Sequence, residues 1–287
     1  GSLRWGRRFK WPDYFFRGSW MMRASNNKYI ADESVYYYSQ TMQGNKFLSI
    51  YFDVDTSEVK QEGYDYSFSS AGISFTQVIT RDSRNHPEFP TNGSQSIWTS
   101  TLSGSLLGGN QDYHKHQLDF NWFTPLHKKF TISQIFKMGV LDKITNKDGE
   151  RSIIPPSARF VMGGTGIPYG EMLRGYTENR VGPFGSTRGG NVMIKYSLEF
   201  RLLLSENPTI YTLSFFDMGN VWSDFNVMDP FDLKRSSGMG IRVFIPMLGM
   251  LGYDIGYGFD STDYDTIMNG RKEPHGWEYH LIFGMPF

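Results

Sequence analysis

The chain has 287 residues, with 29 Lys and Arg against 29 Asp and Glu, no cysteine and a mean hydropathy of −0.43. Zero net charge leaves no basic surplus to neutralise phosphates and argues against a nucleic-acid partner, while the lack of cysteine removes disulfides, thiolate metal sites and thiol nucleophiles together. No apolar run is long enough for a transmembrane helix, since the greasiest stretch, residues 243–257, is cut by Pro246, glycines and Asp254; a transmembrane β-barrel stays open, because its alternating strands average to a hydrophilic hydropathy.

In chain order, period-two patterning predicts strands near residues 2–9, 14–24, 64–81, 94–107, 115–126, 129–142, 191–204, 209–222, 235–246, 249–260 and 277–287. The clearest run is 191–204, where Val192, Ile194, Tyr196, Leu198, Phe200, Leu202 and Leu204 alternate with Asn191, Lys195, Ser197, Glu199 and Arg201. Residues 249–260 set Leu251, Tyr253, Ile255, Tyr257 and Phe259 against Gly252, Asp254, Gly256, Gly258 and Asp260. The last strand sets Trp277, Tyr279, Leu281, Phe283, Met285 and Phe287 against Glu278, His280 and Gly284. No segment reads as an amphipathic helix.

Short connections at Trp11-Pro12-Asp13, Pro90-Thr91-Asn92-Gly93, Ser205-Glu206-Asn207-Pro208 and Pro246-Met247-Leu248-Gly249 alternate with long ones at 25–63, 143–189, 223–234 and 261–275. Outer-membrane barrels alternate in this way. A soluble sandwich would turn its apolar face inward and carry Lys and Glu on the other, but here the second face holds mostly Gly, Ser, Asn and scattered charges. Five outward residues at 251–259, tilted by roughly 40°, span about 20 to 25 Å, the height of a barrel's apolar belt. The expected fold is therefore all-β, a transmembrane antiparallel up-and-down β-barrel. Eleven strands is an odd number and the chain opens inside a strand pattern, so residues 1–287 are expected to be the C-terminal part of a larger barrel. Alternatively, residues 25–63 hold a further strand or a hairpin standing above the membrane.

Signals for catalysis are thin. His114 and His116 share a strand face without a third ligand nearby in sequence, so a wet strand end is a better reading than a metal site. Gly163-Gly164-Thr165-Gly166 lacks the strand-to-helix context of a phosphate cradle. Asp82 and Asp260 read as solvated loop charges. Neither a catalytic residue nor a cofactor is expected.

The informative element is the long connection 143–189, which contains Leu173-Arg174-Gly175-Tyr176. Here the sequence resembles the outer-membrane protein assembly factor family of BamA-like barrels in the POTRA/surface-antigen superfamily, which carries a [VL]-R-G-[FY] motif in a long extracellular loop folded back into the lumen. Arg81-Asp82-Ser83, Pro90 to Ser94, Ser197-Leu198-Glu199-Phe200, Phe215 to Trp222 and the closing Phe283-Gly284-Met285-Pro286-Phe287 are similar to further family segments in the family's order. The resemblance implies a barrel of about sixteen strands preceded by POTRA domains, a lumen-folded loop at 143–189, and Arg174 reaching Glu199, Asp217 and the ring of Phe215. A lumenal guanidinium needs carboxylate partners, and Glu199 lies on the polar face. The phase slips near Phe215 and Phe216, which a bulge would reconcile.

The terminal strand is expected to form the seam of the barrel, with Gly284 weakening it, Pro286 removing a donor and Phe287 at the aromatic girdle. An edge that pairs poorly can template another strand. The resemblance thus implies an insertase of the bacterial outer membrane whose partners are unfolded β-barrel clients, accessory assembly lipoproteins and outer-membrane lipid. A two-partner secretion pore or passive channel is the alternative, and an outer-membrane hydrolase, for which no residue pair stands out, is a distant third.

Overall fold

Alternation of apolar and small or polar residues makes each segment a ribbon with two unlike faces, and such ribbons are satisfied only side by side. The protein is described from a computed structural model covering all residues except 38–39, 53, 105–106, 145–152, 184–187, 247, 271–272 and 285–287. Its strands are β1 (Ser2–Arg8), β2 (Phe16–Ala31), β3 (Ser34–Tyr37), β4 (Gln40–Gln43), β5 (Lys60–Glu62), β6 (Asp65–Asp82), β7 (Gly93–Ser103), β8 (Tyr113–His127), β9 (Phe130–Lys143), β10 (Val192–Glu206), β11 (Thr209–Trp222), β12 (Lys234–Ile245), β13 (Gly249–Gly258) and β14 (Gly276–Gly284). Two helices, α1 (Gly44–Phe52) and α2 (Asp263–Asn269), interrupt them.

One antiparallel sheet runs in the order β1-β2-β6-β7-β8-β9-β10-β11-β12-β13-β14, with β5 added beside β6 and β3 paired to β4 in a separate hairpin. Each of the eleven segments read as strand holds a strand of this path. Among the described residues β1 and β14 are its two ends, each hydrogen-bonded along one side.

The faces follow the alternation. On β10, Lys195, Ser197, Glu199 and Arg201 are buried while Leu198, Phe200 and Leu204 are exposed. On β13, Gly252, Asp254, Gly256 and Gly258 are buried opposite exposed Tyr253 and Ile255. The outer face carries Trp98, Trp122, Trp277, Tyr279, Leu281 and Phe283, all exposed, an aromatic and aliphatic surface suited to lipid. Part of the inner face is covered by the β9–β10 loop, whose Ile154, Phe160, Met162, Leu173, Tyr176 and Val181 cluster with Leu141, Met193 and Val221 of the strands. Small residues admit it: a Cβ on Gly139 would lie 2.3 Å from the Phe160 ring, and one on Gly219 would lie 2.8 Å from Met162 Sδ.

The structure decides three points of the sequence reading. Residues 25–63, where a further strand or a hairpin is the alternative to a plain connection, extend β2 to Ala31 and then supply the β3–β4 hairpin, α1 and β5. In this region Leu48 and Phe52 of α1 pack with Ala31, Val54, Val59, Phe68 and Ile153 in a second small core. Both helices escape the pattern because they are short. α1 carries a nearly continuous apolar run, Phe47, Leu48, Ile50, Tyr51 and Phe52, which over nine residues does not separate helix from strand by period, and α2 has only seven residues but a capping box between Thr262 and Asp265 and a left-handed Gly270 at its end. Third, β11 has no bulge at Phe215; its odd residues Tyr211, Leu213, Phe215 and Asp217 all face inward. The phase is obscured because inward positions here carry aromatic residues that pack against loop and lumenal arginines instead of lipid.

A candidate functional site on the inner face

The β9–β10 loop is ordered by its own short bridges. Met162 pairs with both Glu171 and Val181, Gly164 with Leu173, and Phe160 with Gly190. The turn at Gly163-Gly164-Thr165-Gly166 is closed internally: Glu178 accepts hydrogen bonds from Thr165 N (2.6 Å), Thr165 Oγ1 (2.7 Å) and Gly166 N (3.1 Å). The amides that an anion would need are therefore occupied by a carboxylate of the chain itself.

This scaffold delivers Leu173-Arg174-Gly175-Tyr176 onto three cross-strand rungs of the sheet. Antiparallel register aligns Ser197, Asp217, Ser236 and Gly258 on one rung, Glu199, Phe215, Gly238 and Gly256 on the next, and Arg201, Leu213, Gly240, Asp254 and His280 on the third. Leu173 and Tyr176 are fully buried and Arg174 is 1% exposed. Arg174 grips Asp217 with both arms of its fork, Nε to Oδ2 at 2.7 Å and Nη2 to Oδ1 at 2.8 Å, while Nη2 also donates to Ser197 Oγ at 3.1 Å. Its Nη1 forms an ion pair with Glu199 Oε1 at 2.7 Å and lies 3.7 Å from Asp254 Oδ2. The guanidinium carbon sits 3.8 Å from the centroid of the Phe215 ring, in cation–π range. Ser197 Oγ donates to Asp217 Oδ1, and Ser236 Oγ to the Arg174 carbonyl.

The two residues that follow complete the attachment. Gly175 adopts φ +79°, and any Cβ there would lie 2.9 Å from that of Ser236 and 3.1 Å from Gly258 N, so only glycine fits both conformation and space. Its N–H donates to His280 Nε2 at 2.9 Å. Tyr176 donates its hydroxyl to the Arg235 carbonyl at 2.7 Å and packs its ring 5.2 Å from His275.

Charges balance around this point. Arg201 pairs with Glu199 (Nη2–Oε2, 2.6 Å), and Arg242 forks onto Asp254 at 2.5 and 2.7 Å. Arg174, Arg201 and Arg242 thus meet Glu199, Asp217 and Asp254, all six buried. Buried charges are tolerated when paired and hydrogen-bonded in this manner. The arrangement offers fixation and no hydrolytic carboxylate pair, because each acid is engaged by a guanidinium.

Of the residues singled out in the sequence, Leu173, Arg174, Gly175, Tyr176, Glu199, Phe215 and Asp217 lie together here. Gly284 pairs with Met250 at the far end of β14. Pro286 and Phe287 lie outside the described residues. Arg201, Arg242, Asp254 and His280 were not singled out, although each charged or imidazole side chain on a polar strand face was a candidate by parity alone. Nor was Glu171, which bonds Lys137 at 2.9 Å and Gln117 at 3.3 Å. Asp82 and Asp260 differ from expectation: Asp82 pairs with Arg84 at 2.9 Å and Asp260 with Arg235 at 2.8 Å.

Burial pushes the Glu171 carboxyl up, but Lys137 and Lys195 outweigh it and hold it below the ordinary 4.5. A carboxyl lowered on folding stabilises the folded loop above pH 4.5 and loses that contribution as pH falls through the lowered value. Glu171→Gln is therefore expected to make protease protection of residues 153–183 weaker at pH 7 and less dependent on acidification than in the parent, measured by limited proteolysis from pH 7 to 3.

The geometry agrees with what known proteins show. The Omp85 superfamily domain model matches residues 5–284. The outer membrane protein assembly factor BamA of Nitratidesulfovibrio vulgaris is 27% identical over 233 residues, covering 77% of this chain and 27% of its own length. The crystal structure of BamA from Haemophilus ducreyi lacking POTRA domains 1–3 superposes with a TM-score of 0.71 at 17% identity, covering 98% of this chain and 53% of that one. The chain thus spans about a quarter of the curated relative and about half of the solved one. With its outward aromatic face and inward polar one, the sheet is that of a bacterial outer-membrane β-barrel, and the chain belongs to the Omp85 superfamily.

Proposed function

We propose that this chain is the membrane part of an insertase that folds β-barrel clients into the outer membrane, within a barrel of about sixteen strands of which it supplies eleven. The observation that carries the reading is the buried fixing of Arg174 to β10 and β11, on the same sheet whose last strand, β14, is bonded along one side only among the described residues. A free strand edge offers N–H and C=O groups to an incoming strand, and no covalent chemistry is needed. The Arg174 loop keeps the sheet in the shape that presents that edge. Thinned lipid beside the seam lowers the cost of entry for the client, and accessory lipoproteins deliver it.

A secretion pore or diffusion channel would need a cleared inner face, part of which residues 153–183 obstruct with Phe160, Met162, Leu173 and Tyr176. Arg174→Ala in the full-length protein is expected to lower the steady-state level of client porins at least severalfold while the protein itself still reaches the membrane. Unchanged clients, or steady conductance of the parent protein in planar bilayers, would overturn the reading.

A further inference from the structure

The loop does more than anchor on β10 and β11. Its tip reaches across β12 and β13 and bonds the terminal strand itself. The Gly175 N–H donates to His280 Nε2 at 2.9 Å. Thr177 Oγ1 donates to Glu278 Oε1 at 3.0 Å. His275, just before the strand, lies tilted against the Tyr176 ring with centroids 5.2 Å apart and has Nδ1 2.8 Å from Asp265 Oδ2 of α2. His280 and Glu278 are successive inward residues of β14, which along its backbone is held by β13 alone among the described residues.

We infer that His280 is a positioning residue that ties the Arg174 loop to β14, so that the loop's seating governs how readily the terminal strand leaves β13. The chemistry is specific. An amide N–H can only donate, so Nε2 must be the unprotonated, accepting nitrogen of a neutral imidazole. Gly175 is buried and His280 is 4% exposed with β14 in place, so β14 cannot leave β13 without giving up a hydrogen bond made away from water. The groups around it are Arg174 and Glu178 of the loop, Asp254 directly across on β13, and Glu278 two residues along β14. The inference rests on the insertase reading for its functional meaning, but the contact can be tested without it.

The test is hydrogen–deuterium exchange of the full-length protein in lipid vesicles, comparing the parent with His280→Phe, which keeps a ring and removes the acceptor, and His280→Gln, whose amide oxygen can accept. Exchange over 276–284 is expected to rise about three- to tenfold in His280→Phe, to stay near the parent in His280→Gln, and to leave β10 and β11 unchanged. Thr177→Val, which removes the hydroxyl's contacts with Glu278 and with His275 Nε2 but leaves the His280 bond, is expected to give a smaller rise over the same residues and serves if His280→Phe does not fold. Equal exchange in parent and His280→Phe, a rise spread over the whole sheet, or a rise in His280→Gln as large as in His280→Phe would each overturn the inference. Client assembly is measured on the same variants: a loosened β14 with client levels unchanged leaves the tie standing and overturns the insertase reading.

Discussion

Asp217→Asn is expected to unseat the loop and destabilise the folded protein by about 3 to 5 kcal/mol, the cost of leaving a buried charge without its partner. Asp217 has no exposed surface and takes two arms of Arg174 together with its backbone N–H. An amide cannot accept at both positions, and one of its two ends would present donors to a guanidinium that has only donors. Glu199→Gln should cost less to the loop, because Glu199 is shared between Arg174 and Arg201 and because the fork on Asp217 survives. The informative companion is Arg174→Leu combined with Asp217→Leu. If the damage in the single variants comes from the stranded charge, the double variant should be closer to the parent than Asp217→Asn is. Urea unfolding in vesicles, followed by gel mobility of the folded and unfolded forms, reads all four proteins. A double variant less stable than both singles would show that the pair itself, and not the stranded charge, holds the fold together.

How much of this was legible in the sequence depends on which physical signal each part leaves. Strands were legible because lipid and lumen impose opposite demands on alternate residues, so β10 and β13 announce both their existence and their faces. Register followed less directly, since nothing in a single strand says that Asp217 will stand beside Ser197, or Asp254 beside His280. Arg174 stood out through its motif, and Glu199 through parity. Arg201, Arg242 and Asp254 shared that parity: Arg201 meets Glu199 two residues away on the same strand, whereas Arg242 and Asp254 meet only once β12 and β13 are in register. Phe215 was obscured by a conflict between two rules, since an aromatic residue usually marks the lipid face and this one lies under a guanidinium. The helices were lost for a third reason: α2 is defined by the cap at Thr262 and Asp265 rather than by any apolar stripe. Residues 25–63 combine short elements around a small core whose members, such as Ile153 and Phe68, are distant in sequence.

Glycine on β13 makes the second large effect. Gly256→Val is expected to expel the loop tip from the sheet, because even a methyl group there would lie 2.7 Å from Gly175 N and 2.9 Å from its Cα. Both atoms are backbone, so no rotamer change relieves the contact, and Gly175 cannot retreat without giving up its bond to His280 and the Arg174 carbonyl's bond from Ser236. Overpacking of this kind costs about 1 to 3 kcal/mol where neighbours can adjust, and the upper end applies where they are main chain on both sides. Gly252→Val on the same strand provides the contrast: its nearest atoms belong to the Arg242 side chain, from 2.7 Å, so the clash falls on the Arg242–Asp254 pair and touches no atom of the loop. Limited proteolysis should therefore open residues 153–183 in Gly256→Val but leave them largely protected in Gly252→Val, with strand content by circular dichroism equal in the two. Equal protection in both variants would mean that the loop is held by the carboxylates of β10 and β11 alone. In that case the seat on β13 would position nothing, and the tie to β14 would have no firm base to pull against.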